Sequence, residues 1–253
     1  MMKRLSILLL SLLLACVCVP AGAQCAHGCK AAAYSFPKRL GIIGDSISTF
    51  EGIIPSDHRP CYKPEYKPGK ADVYADVNEW GKTYWGHLVN EYWHCEIDMN
   101  TSWSGSCVAD GDPANNRTPF VKRTHLFNNP DVIILFGGTN DCQPKREIAL
   151  GDFDFDTKPE DMNTYGRFRD SYIWLVKTLQ KNYPDAQIII IIGNHIEGEY
   201  GNSVEAIAKH FGLPYVDFRG DEEVTIYNEL HPNAAGHAHM AERIYQETLS
   251  LFQ

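Results

Sequence analysis

The chain has 253 residues, 44% of them apolar and 22% charged, a composition that suits a water-soluble globular protein with material for one substantial core. Its 23 basic and 32 acidic residues leave a formal charge of −9, which argues against nucleic acid or an anionic lipid surface as partner. Gly and Pro stand near ordinary usage and no solenoid-length repeat is present, so collagen-like, low-complexity and repeat architectures are excluded. The first segment in chain order reads as a leader. Lys3 and Arg4 precede a largely apolar stretch from Leu5 to Val19, and Ala21-Gly22-Ala23 follows as a small-residue cleavage site. Residues 1–23 are therefore expected to be a secretory signal, the apolar stretch being shorter than the roughly 20 residues of a membrane span. Leu13-Leu14-Ala15-Cys16 resembles a bacterial lipobox, which makes a lipid-anchored Cys16 the alternative exit. Loss of residues 1–23 removes Lys3 and Arg4 and no acid, deepening the formal charge to −11.

Export also bears on the cysteines. Six remain after cleavage (Cys25, Cys29, Cys61, Cys95, Cys107 and Cys142), and an oxidising compartment makes one or more disulfides expected, with the pairing open. Cys25-Ala26-His27-Gly28-Cys29 has no second pair of metal ligands nearby, so no metal is expected.

Residues 24–38 are polar and irregular and read as a tether; residues 39–253 read as one domain. Arg39 to Gly44 is a short buried strand running into Asp45-Ser46. Residues 51–79 form a long irregular stretch with four prolines. A helix is expected from Trp80 to Tyr92 and a second strand from Glu96 to Met99, leading into Asn100. Asp131 to Phe136 is a continuous apolar run stopped by Gly137-Gly138, which suits a strand covered on both faces. Phe168 to Tyr183 has helical spacing and ends at Pro184. Gln187 to Ile192 is a fourth strand, Ser203 to Phe211 a short helix, and Leu213 to Phe218 a last strand. Pro232 is expected to open the closing helix. Apolar strands alternating with helices imply a mostly parallel sheet between two helical layers, and such sheets carry their sites at the carboxyl ends of the strands.

The residues at those ends are of reactive types. Ser46 follows the first strand, Asn100 to Gly105 the second, and Gly138-Thr139-Asn140-Asp141 the third; His231-Pro232 stands before the last helix. A serine nucleophile, candidate oxyanion donors and a histidine base together suit acyl transfer. Other doubly wound enzymes are poorly matched: G-x-G-x-x-G, G-x-x-x-x-G-K-[ST] and G-x-S-x-G are all missing from the sequence. Asp45 and Asp141 read as hydrogen-bonding to nearby backbone, and His237 and His239 as surface or packing residues.

Gly44-Asp45-Ser46, Asn100-Thr-Ser-Trp-Ser-Gly105, Gly137-Gly138-Thr139-Asn140-Asp141 and His231-Pro232-Asn233 resemble, in order, the four blocks of the SGNH/GDSL hydrolases, from residue 39 to about 250. The resemblance implies a flavodoxin-like three-layer α/β/α sandwich and ester hydrolysis with no metal or organic cofactor. It implies Ser46 as nucleophile, His231 as general base, and the backbone N–H groups of Ser46 and Gly105 with the Asn140 amide as oxyanion hole. The family's last block carries an aspartate three residues before the histidine; here that position is Asn228. Either Asn228 or a backbone carbonyl then orients the His231 imidazole in a dyad, or Glu229 serves as a displaced acid.

The expectation is a secreted serine esterase acting on acetyl or short-chain O-acyl groups of a small-molecule or glycan ester. Tyr62, Tyr66, Tyr74, Trp80, Trp85 and Trp103 include candidate aromatic platforms for sugar. The alternatives are a lipid acyl hydrolase of lysophospholipase type and a catalytically lapsed protein that binds acylated glycan.

Overall fold

Five parallel strands carry the fold in the order β2-β1-β3-β4-β5: β1 Arg39–Gly44, β2 Glu96–Asn100, β3 Val132–Phe136, β4 Gln187–Ile192 and β5 Tyr215–Asp217. The computed structural model describes residues 34–65, 74–111, 117–161, 166–196, 198–224, 226–227 and 230–253. The strand order reverses at β1, so the crevice of this doubly wound sheet opens beside the carboxyl ends of β1 and β3.

Period-two alternation along the central strands divides the core into two layers. Leu40, Ile42, Ile134, Phe136, Ile189 and Ile191 face one way, onto Tyr84, Trp85, Leu88, Met240 and Ile244. Ile43, Ile133, Leu135, Ile190 and Ile192 face the other, onto Phe168, Tyr172, Leu175, Val204 and Ile207. Helix α4 (Ala234–Thr248) and the short helix α1 (Tyr84–His87) cover the first face. Helices α2 (Phe168–Asn182) and α3 (Gly198–His210) cover the second. This is the three-layer α/β/α sandwich that the alternation of elements implies.

Several boundaries differ from expectation, each for a local reason. The helix expected over 80–92 is broken: Trp80–Lys82 is a 3₁₀ turn, Thr83 is extended, and α1 begins at Tyr84 and continues as a π-turn over Leu88–Tyr92. Thr83 interrupts it because its Oγ1 caps the new helix, accepting from Gly86 N at 3.0 Å. Helix α3 starts at Gly198, five residues before the expected Ser203. Pro232 does not open the closing helix. It pairs with His231 as β7 (His231–Pro232), antiparallel to β6 (Ile226–Tyr227), and Asn233 caps α4 by accepting from Gly236 N at 2.9 Å. Asn outranks Pro as a cap, which moves the helix start two residues on.

The described end of the expected tether, residues 34–38, lies against the domain: Ser35 N donates to Phe252 O at 2.7 Å and Lys38 N to Asp131 Oδ2 at 2.7 Å. No disulfide joins two of the described cysteines, and among the described residues no helix is long and apolar enough to cross a membrane. The leader, Cys16, Cys25 and Cys29 lie outside the described residues.

Candidate active site

Gly44 ends β1, and a side chain there would put its Cβ within 2.4 Å of Ser48 Oγ, so the chain can turn sharply only at glycine. Asp45 then caps the 3₁₀ turn Ser46–Ser48, its Oδ1 accepting from Ile47 N at 3.1 Å. Ser46 is therefore not the capping residue, and its hydroxyl is left for other partners. It meets His231: Nε2 lies 2.9 Å from Oγ across 185 residues of sequence.

Several contacts hold His231. Tyr62 Oη donates to Pro232 O at 2.9 Å, fixing the strand that carries the imidazole, and Tyr74 Oη lies 3.2 Å from His231 Nδ1. When Nδ1–H donates to the Tyr74 oxygen, Nε2 is left as the acceptor facing Ser46, the tautomer a general base requires. Burial, with His195 adding a like-charge contribution, pushes the His231 pKa down from 6.5 to about 4. The imidazole is thus neutral at physiological pH. Because His231 stands three residues before α4, burial rather than the helix N-terminus is the cause.

Asn140 joins the remaining pieces. Its Nδ2 donates to Ser106 O at 3.1 Å and approaches Asp45 Oδ2 at 3.4 Å, which places the amide between the segments bearing Gly105 and Ser46. Gly105 itself sits at φ +79°, a backbone region that disfavours a side chain. A Cβ there would also come within 2.8 Å of Arg117 Nε. Asn100 is buried and structural, donating to Ser48 O at 2.8 Å and accepting from Ser102 N at 3.0 Å. Asn228 and Glu229 lie outside the described residues. Asp221, a more distant acid, is committed elsewhere, accepting from His239 Nε2 at 2.9 Å and from Arg243 at 2.6 Å.

Two buried acids behave as expected for backbone-binding groups. Asp141 accepts from Val108 N at 2.8 Å and Ala109 N at 3.0 Å. Burial pushes its pKa up to about 7, against those same donors, and that of Asp45 up to about 6. His237 is a packing residue, fully buried, with Nδ1 accepting from Tyr84 N at 3.1 Å.

Sequence reasoning missed Arg123. Its guanidinium is buried behind the site, donates to Gly44 O, Thr101 O and Ser106 Oγ, and stacks over the Phe120 ring at 4.5 Å. It ties together the ends of β1 and β2 and the loop that follows. A single arginine far from any motif gives no sequence signal. Tyr74 was singled out only as an aromatic platform, and its contact with His231 needs the fold to show it.

A cavity of about 540 Å³ adjoins His231, lined by Glu51, Arg59, Lys63, Tyr74 and Ser104 among others. A neutral imidazole on a serine hydroxyl beside such a cavity can pass the serine proton to a leaving alcohol. Among the described residues, no cluster of His, Cys, Asp and Glu could hold a metal ion.

The family model for GDSL-like lipase/acylhydrolase matches residues 38–248. Solved structures agree. A candidate GDSL-like lipase from Bacteroides uniformis is 27% identical at a TM-score of 0.70, covering 83% of this chain and 94% of its own. A candidate GDSL-like lipase from Bacteroides ovatus is 25% identical at a TM-score of 0.70, covering 83% of this chain and 96% of its own. A carbohydrate acetylesterase from Sinorhizobium meliloti, 14% identical at a TM-score of 0.58 with 85% and 100% covered, shares the fold. No curated protein sequence matches. A match over nearly all of the domain, on a fold these relatives share, means that the chain belongs to the GDSL-like lipase/acylhydrolase family and is an ester-hydrolysing enzyme.

Proposed function

We propose that this enzyme is an exported serine esterase that removes acetyl or other short acyl groups from a carbohydrate-linked or similar small ester. The observation that carries the reading is the 2.9 Å contact between His231 Nε2 and Ser46 Oγ at the carboxyl end of β1. His231 takes the Ser46 proton as Oγ attacks the acyl carbonyl, and the resulting oxyanion is held by the N–H groups of Ser46 and Gly105 and the Asn140 amide. The imidazolium then protonates the leaving alcohol; a water activated by the same histidine releases the acyl group and restores Ser46. Tyr74, with Asn228 or Glu229, orients the imidazole. No cofactor enters the cycle.

A short-chain substrate is favoured by the cavity, whose lining among the described residues includes the charged and polar groups of Glu51, Arg59, Lys63, Ser104 and His231. The carbohydrate reading draws further support from the acetylesterase that shares this fold. Export rests on the leader at residues 1–23, with a lipid anchor at Cys16 as the alternative. A lapsed binding protein is disfavoured by a Ser–His pair already at hydrogen-bond distance. The test is hydrolysis of p-nitrophenyl acetate and of acetylated sugars by wild type and Ser46→Ala. The variant is expected to fold and to lose all measurable turnover; an active Ser46→Ala enzyme would overturn the mechanism.

A further inference from the structure

We propose that the natural substrate carries an anionic group, a carboxylate or a sulfate, close to the scissile ester, and that Arg59 and Lys63 recognise it in the cavity beside His231. The proposal rests on the esterase reading and adds the substrate's charge. Among the described residues, that cavity has Arg59 and Lys63 in its wall and one acid, Glu51, and it reaches the reacting pair directly through His231. The cations continue around the oxyanion side. Arg117 lies across Gly105, where a Cβ would come within 2.8 Å of its Nε, and Arg146 donates to Gly105 O at 3.4 Å. Four basic side chains thus surround the site of a protein whose formal charge is −9.

Charge balance makes this distribution informative. The field of an acidic protein repels an anionic substrate, and local cations in a cleft reverse that field where binding occurs. A neutral acylated sugar gains little from a ring of cations, whereas a carboxylate or sulfate gains charge-assisted hydrogen bonds there. The ordinary explanation of a surface arginine is a solvated ion pair. Arg59 does not fit it: its side chain is exposed, and among the described residues no ion pair involves its guanidinium. Its backbone carbonyl accepts from Ser104 N at 2.9 Å, so the segment carrying it is fastened to the loop that carries Gly105. The backbone that carries the guanidinium is therefore tied to the segment of the proposed oxyanion site, within reach of the cavity that Arg59 lines. The cavity, at about 540 Å³, has room for a charged sugar.

The test compares kcat/KM of the full enzyme on three matched probes: an O-acetylated methyl hexoside, the corresponding hexuronide, and the same hexoside bearing a neighbouring O-sulfate. The expected result is an advantage of about tenfold for at least one anionic probe, the size of one charge-assisted hydrogen bond. Whichever anion is preferred identifies the source. The advantage should shrink as salt rises from about 0.05 to about 0.5 M. Arg59→Gln should bring the anionic-to-neutral ratio to within about threefold of unity. Equal rates on all probes, a preference for the neutral one, or a ratio untouched by Arg59→Gln would overturn the proposal while leaving the esterase reading in place. Failure to hydrolyse either these probes or p-nitrophenyl acetate would instead remove the esterase reading on which it rests.

Discussion

At the scale of single residues, the site depends on two amide and imidazole groups whose chemistry is set by their surroundings. Asn140 Nδ2 donates to Ser106 O at 3.1 Å and approaches Asp45 Oδ2 at 3.4 Å; as the oxyanion donor of the proposed mechanism it exchanges the longer of these contacts for the developing charge. Asn140→Ala is expected to lower kcat by about 10²–10³ with KM little changed, since an oxyanion donor acts mainly in the transition state. Steady-state kinetics on p-nitrophenyl acetate check this, and a change confined to KM would make Asn140 a substrate-binding residue instead. His231 gives a pH prediction. Its pKa is lowered to about 4 by burial and His195, so the neutral base persists far below pH 6.5 and is lost only as pH falls through that lower value. The acid limb of kcat/KM is therefore expected near pH 4. A limb near 7 would mean that a carboxylate such as Glu229 stabilises the imidazolium. The candidate residues Ser46, Gly105, Asn140 and His231 can be nominated from the sequence because each stands in a short block of distinctive composition. Arg123 and Tyr74 cannot be, because their roles depend on partners brought from distant parts of the chain: Gly44 for the first, His231 for the second.

Among the elements, strands were read more accurately than helices, for a physical reason. β3 and β4 are buried on both faces, so their sequences are unbroken apolar runs with sharp ends, and Gln187–Ile192 falls where the sequence places it. Helix ends depend on side-chain caps that compete over a few residues, as at Thr83 and Asn233. The long loops are held by buried groups rather than by regular pairing. Asp141, on the loop after β3, binds the Val108 and Ala109 N–H groups and so fixes the segment following Gly105. An asparagine there can accept only one of those bonds and turns its own NH₂ toward the other donor. Asp141→Asn is expected to cost about 1–3 kcal/mol of stability in urea unfolding. Because the Asp141 pKa is raised to about 7, its favourable contribution to wild-type stability is full below the unfolded value of 3.8 and lost as pH rises through 7. The deficit of the variant should accordingly narrow between pH 5 and pH 8. A variant as stable as wild type at pH 5 would show that the loop is held by other means.

For the whole molecule, the fold's task is to gather groups that the sequence keeps far apart. β1 delivers Ser46, β3 delivers Asn140, and the turn before α4 delivers His231, 185 residues after the serine it contacts. The alternation of elements made this convergence legible, because a doubly wound parallel sheet places all its strand ends on one side. The charge beside the site was not legible, since Arg59 and Lys63 of one loop line the cavity while Arg117 and Arg146, from other parts of the chain, meet Gly105 only in the folded protein. On the proposed mechanism, Ser46 is an ordinary hydroxyl in the unfolded chain and an activated one only when the fold sets His231 against it. The most direct measurement of that claim is the mass of the intact protein after treatment with a fluorophosphonate, with the adduct located by peptide mapping. The native enzyme is expected to gain one equivalent at Ser46, and both the urea-unfolded chain and a folded His231→Ala variant are expected to react at least a hundredfold more slowly. An adduct at another residue, or equal reactivity of the native and unfolded chains, would contradict it.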